Sequence, residues 1–87
     1  MPEPEYCMLA FDSYHFAMRA EKLLESQLRV RVMPTLRSVS ESCGMSLRVA
    51  AEDGERAAAL LLSSALPKGV WRRYLVFQGG HVAVPCD

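Results

Sequence analysis

Cys43 stands beside Gly44 in a polar stretch, residues 33–45 (MPTLRSVSESCGM), with Arg37, Ser38, Ser40 and Ser42 just upstream. A cysteine attacks as its thiolate, and neighbouring cations and hydrogen-bond donors stabilise that anion. The segment supplies both kinds of group in a part of the chain expected to be exposed. A free cysteine can also serve as a small core hydrophobe, but the flanks Ser40, Glu41, Ser42 and Gly44 are polar and turn-forming. Gly44 would allow a positive φ or a close backbone approach. Glu41 works against activation, because a carboxylate beside a thiol raises its pKa. Arg37 either holds a thiolate or another anion or is a solvated loop cation. Ser40 and Ser42 either donate to sulfur or cap a helical turn, the commoner use of such residues. Pro34 and Thr35 are expected to set the angle at which the loop leaves the strand before it.

The other chemistry-bearing residues are isolated. Cys7 falls in an apolar run and reads as core. Cys86 is expected in a tail with nothing to fix its position, which argues against a resolving role toward Cys43. The three cysteines contain no CxxC pair, and His15 and His81 lack a carboxylate or thiol at ligand spacing. Neither a metal, a cofactor nor a disulfide framework is therefore expected. Gly79-Gly80 has no following helix and is too short for a phosphate loop.

The elements that must position the loop follow from periodicity. Residues 6–11 (YCMLAF) form a short apolar run bounded by polar residues, which predicts a buried strand. Asp12 or Ser13 can then N-cap a helix over residues 14–28, with Phe16, Ala20, Leu23, Leu24 and Leu28 on its apolar face. Residues 29–35 alternate and end at Pro34, which cannot donate to a ladder. Residues 45–50 alternate again, placing Met45, Leu47 and Val49 on one face. A second helix is expected to run from about residue 52 to residue 66, with Ala58, Leu61, Leu62 and Ala65 facing the core and Pro67 to Gly69 ending it. Residues 70–77 read as the last strand, and residues 82–86 as a short edge strand or disordered tail.

The order β-α-β-β-α-β with right-handed crossovers predicts an α+β, ferredoxin-like sandwich: a four-stranded antiparallel sheet with two helices on one face. One domain over residues 6–78 is expected, with tails at 1–5 and 79–87. The 87 residues carry 10 basic and 10 acidic side chains, which cancel. That balance gives no reason to expect nucleic acid or an anionic membrane surface. The arginines at Arg29 and Arg31 and at Arg72 and Arg73 form either a local patch or, more simply, the polar positions of alternating strands. The longest apolar run is far short of a membrane span, and the start lacks the basic and apolar regions of a signal peptide, so a cytoplasmic protein with free thiols is expected. A chain this small buries only roughly 60% of its unfolded surface, so a homodimer would add stability.

Taken together, the residues resemble a family. A hydrophobic strand leads into Ser13, His15, Ala17, Ala20, Glu21, Lys22 and Leu24 in the pattern S-x-H-x-A-x-x-A-E-K-x-L. Then come Pro34-Thr35, Arg37, Ser40 and Ser42-Cys43-Gly44, in the pattern P-T-x-R-x-x-S-x-S-C-G, and another strand. This order resembles the small bacterial and archaeal selenium/sulfur carrier-like proteins over roughly residues 6–76, with Leu36 a small departure where a second proline is common. The resemblance implies that Cys43 is a carrier thiol whose pocket is shaped by Arg37, Ser40, Ser42 and Gly44. It also implies a desulfurase-type donor and an acceptor protein as partners, and a carrier more than a true enzyme. The competing class is a ligand- or partner-binding module in which Cys43 is incidental, since fold does not choose between them. A thiol enzyme ranks below both, without a CxxC motif or an assured Cys–His partner.

Overall fold

A computed structural model of the chain describes residues 3–36, 39, 44–80 and 82–86. Five strands and two helices follow in the order β1 (Tyr6–Phe11), α1 (Tyr14–Glu25), β2 (Arg31–Pro34), β3 (Met45–Val49), α2 (Gly54–Leu62), β4 (Trp71–Phe77) and β5 (Val82–Cys86). The strands form one sheet in the order β2-β3-β1-β4-β5, and every neighbouring pair is antiparallel. The expected four strands are thus five. Gln78 (φ 55°), Gly79 (φ 66°) and Gly80 (φ 95°) all take left-handed backbone and turn the chain back, so residues 82–86 add a strand to β4. Two glycines make that reversal cheap. Gly79 N also donates to Glu5 Oε2 at 2.7 Å, which ties the turn to the chain before β1.

Both helices pack on one face. Cys7, Leu9 and Phe11 of β1 and Leu47 and Val49 of β3 meet Ala17, Ala20 and Leu24 of α1 and Ala57 and Leu61 of α2. Ser13 caps α1, its Oγ accepting from Phe16 N at 3.3 Å. Along α1 the buried line is Ala17, Ala20 and Leu24, and Leu23 is 42% exposed rather than packed inward. In α2 the buried stripe is Gly54, Ala57 and Leu61, so of the expected residues Leu61 faces the core, Ala58 is half-buried, and Leu62 (57% exposed) and Ala65 face solvent.

The reason is Gly54. A Cβ built there would lie 2.9 Å from Cys7 Sγ, so this helix start fits against β1 only as glycine. That contact fixes which side of α2 faces the sheet. The helix also stops at Leu62 rather than continuing to residue 66. Ser64 Oγ donates to Leu61 O at 2.6 Å and accepts from Leu66 N at 3.1 Å, while Ser63 Oγ donates to Leu60 O at 3.1 Å. Serine hydroxyls compete for the carbonyls that a further turn would use.

Among the described residues, the opposite face has no helix. Tyr6, Met8 and Val76 are nonetheless buried on it, with Met33, Leu36, Val39, Tyr74 and Ala83 packed around them. Leu36 and Val39 belong to the segment between β2 and β3. Both therefore lie against the sheet.

Candidate functional site: the loop joining the second and third strands

The base of the loop is a closed clasp. Pro34 pairs with Met45 as the last rung of the β2–β3 hairpin, and Thr35 N donates to Gly44 O at 2.9 Å just beyond it. Thr35 Oγ1 and Ser46 Oγ share a hydrogen bond of 2.6 Å. Ser46 is fully buried, so this bond satisfies a hydroxyl that water cannot reach. Gly44 serves close approach rather than positive φ: a Cβ on it would stand 3.2 Å from Thr35 Oγ1. Pro34, Thr35 and Gly44 thus lie together at the loop's two ends. Arg37, Ser38, Ser40, Glu41, Ser42 and Cys43 lie outside the described residues, as does His81.

Above the clasp, Val39 N donates to Leu36 O at 2.9 Å in a turn whose two apolar side chains lie against the sheet. Leu36 reaches as far as the Gln78–Gly80 turn, since a Cβ on Gly80 would lie 3.6 Å from Leu36 Cδ2. Reading the segment as simply polar missed this anchoring. Leu36 and Val39, three residues apart among polar neighbours, were the available signal. Ser46 was also missed, because its polar side chain in an alternating strand suggests an outward position.

The remaining cysteines are held in strands. Cys7 is fully buried, as its apolar run implies. Burial pushes its thiol from the ordinary 9.0 up to about 11, with the Arg73 guanidinium pulling the other way and Cys86 adding slightly to the rise. At neutral pH it is a packed hydrophobe and not a nucleophile. Cys86 is not in a loose tail. It sits in β5 opposite Arg73, half-buried, its Sγ 3.8 Å from Val84 O. A cavity of about 530 Å³ on the helix side has Cys86, Arg73, Gly54, Glu52 and Glu55 in its lining. Leu36 and Val39 pack on the other side of the sheet, so the loop's anchor and Cys86 face opposite ways.

His15 is exposed near the start of α1, its ring 5.8 Å from that of Phe16. Among the described residues, no three His, Cys, Asp or Glu side chains gather at metal-binding distances, and no helix is long and apolar enough to cross a membrane.

Fold and clasp together define a small α+β domain that carries a cysteine-bearing loop on one hairpin and folds the loop's apolar residues onto its helix-free face. The chain belongs to the family described as "Putative Se/S carrier protein-like", whose model matches residues 6–72. The match runs from β1 to the start of β4, so β5 and Cys86 fall outside it. No curated protein and no solved structure matches the chain.

Proposed function

We propose that this chain is a selenium or sulfur carrier that holds a persulfide or selenopersulfide on Cys43, in a cytoplasmic setting that keeps its thiols reduced. Its first four strands and two helices are read as a ferredoxin-like unit to which β5 is added. In the transfer, the Cys43 thiolate attacks the terminal sulfur of a donor persulfide, E–S–SH. A bond forms between Cys43 Sγ and that sulfur, the donor S–S bond breaks, and the donor leaves as E–S⁻, giving Cys43–S–SH. The selenium case is the same with E–S–SeH. No metal takes part. Arg37, Ser40 and Ser42 are the groups assigned to stabilise the thiolate and the loaded form, while Pro34, Thr35 and Gly44 hold the loop's ends.

One observation carries this reading within a family described as carrier-like. The segment containing Cys43 is clasped at both ends by Thr35, Gly44 and Ser46, whereas Cys7 is sealed in the core with a thiol raised to about 11. A carrier needs one accessible thiol on a constrained loop, and the other core-embedded thiol is unavailable for that role.

The test is intact-mass spectrometry after incubation with a cysteine desulfurase and cysteine or selenocysteine. An added mass of one sulfur or selenium is expected on wild type, Cys7→Ser and Cys86→Ser, and none on Cys43→Ser. Equal loading of all three variants overturns the assignment and leaves the cysteine incidental to a binding module.

A further inference from the structure

Strand alternation does account for the arginines one at a time, but the register then brings them together. Arg31 of β2 pairs directly with Arg48 of β3, and Arg48 pairs with Met8 of β1. Both arginines therefore stand on the helix-free face that Leu36 and Val39 cover. Arg72 pairs with Ala10 and stands on the same face, across the roofed patch. All three are exposed. Among the described residues, no strand position on this face is Asp or Glu, and no carboxylate lies in ion-pair reach of Arg31 or Arg48. Among the described residues, acidic side chains gather elsewhere, as at Glu52, Asp53 and Glu55 beside α2.

Like charges directly opposite on neighbouring strands destabilise a sheet. Arg48 is also fixed in direction, its guanidinium lying 4.1 Å above the Tyr6 ring centre. Stacked in this way, it keeps its N–H edge for a carboxylate while its face is occupied by the ring. Arg29 joins Arg31 and Arg48 around a shallow depression of about 120 Å³.

We infer that this arginine face is the docking surface for an acidic protein partner, the one that delivers sulfur or selenium to the neighbouring loop; the partner's role rests on the carrier reading above. Span decides against a small anion. Arg31 and Arg72 are three strand spacings apart, about 14 Å at the usual ~4.8 Å per spacing. Aromatic exposure decides against RNA. A stacking platform needs open rings, whereas Tyr6 is 7% exposed beneath Arg48 and Tyr74 is half-buried in the same cluster. Charge complementarity then leaves a carboxylate-bearing protein surface, which would bring the donor onto the same face as the loop and speed encounter at low salt.

The experiment follows loading of Cys43 from a cysteine desulfurase supplied with radiolabelled cysteine, at ionic strengths from about 50 to about 300 mM, where screening changes most. Wild type should load more slowly as salt rises. Arg31→Gln/Arg48→Gln should load roughly tenfold more slowly at low salt and lose the salt dependence. Lys68→Glu, on the turn after α2, should behave as wild type. Alkylation of Cys43 by the neutral reagent iodoacetamide should be equal in all of them, which excludes a damaged loop. Wild-type loading by the double variant, or an equal loss in Lys68→Glu, overturns the docking face.

If wild type takes no sulfur, the carrier reading fails, and the face is then judged by binding of a deca-glutamate peptide. Loss of that binding in the double variant sustains an acid-docking surface, and equal binding by wild type and double variant overturns it. Tighter binding of a short oligouridine than of the peptide also overturns it.

Discussion

The two faces of this sheet bury their residues by different means. On one face, Leu24 and Leu61 arrive on regular helices and cover Cys7, Leu9 and Leu47, with Phe11, Phe16 and Trp71 packed into the same core. On the other, Met8 and Val76 are equally buried, but the cover is Leu36 and Val39 from the segment between β2 and β3, held by a Thr35–Ser46 hydrogen bond and rimmed by arginines. The first face is a core in the ordinary sense. The second is covered by Leu36 and Val39 of the candidate loop, so the segment proposed to carry chemistry also contributes to the integrity of the sheet.

This difference also explains what could be read from the sequence. The helix face rests on periodicity within single elements, and the strand pattern of residues 6–11 and 45–49 places its side chains correctly. What escaped there was the exposure of Leu23, the early end of α2 and the face α2 turns inward, the last set by the Gly54–Cys7 contact between residues far apart in the chain. The loop face rests on non-local cover throughout. Ser46 looks solvent-facing until Thr35 is laid over it, and between edge strand and tail for residues 82–86 the left-handed Gln78, Gly79 and Gly80 decide for the strand by returning them to β4. The candidate site was legible as a cluster of residue types from Pro34 to Gly44. Its attachment to the sheet was not.

The sharpest way to break the contrast is to compare deletions on the two faces. Leu24→Ala removes a fully buried side chain from a helix-covered core and should lower the unfolding free energy by about 2–5 kcal/mol. Val39→Ala removes part of a half-buried lid and should cost about 1 kcal/mol. Urea denaturation with unchanged slope checks both. Equal costs would mean that the loop is as integral to the core as the helices are.

Next in size is the clasp. Thr35→Val keeps the shape but removes the hydroxyl that pairs with buried Ser46, at a cost of about 1–3 kcal/mol for the orphaned group. Thr35→Val/Ser46→Ala removes both partners and should recover most of that loss. The single variant should also expose residues 36–43 to limited proteolysis while amide exchange in β1 stays slow. Additive losses in the double variant would show that the hydrogen bond does not hold the loop.

The smallest effect is confined to alkaline solution and belongs to the helix face. Burial raises the Cys7 thiol from the ordinary 9.0 to about 11 in the folded chain, so the folded state holds this proton more tightly than the unfolded one. The stability this contributes is fully present below pH 9 and is lost as the pH rises toward 11. A Cys7→Ala variant, though less stable at neutral pH through its lost packing, should show a flatter stability curve across that window. Thermal melts at intervals from neutral to strongly alkaline pH read the difference directly. If Cys7→Ala retains the wild-type slope, the alkaline loss arises elsewhere, and the thiol under Gly54 is less sealed than its packing implies.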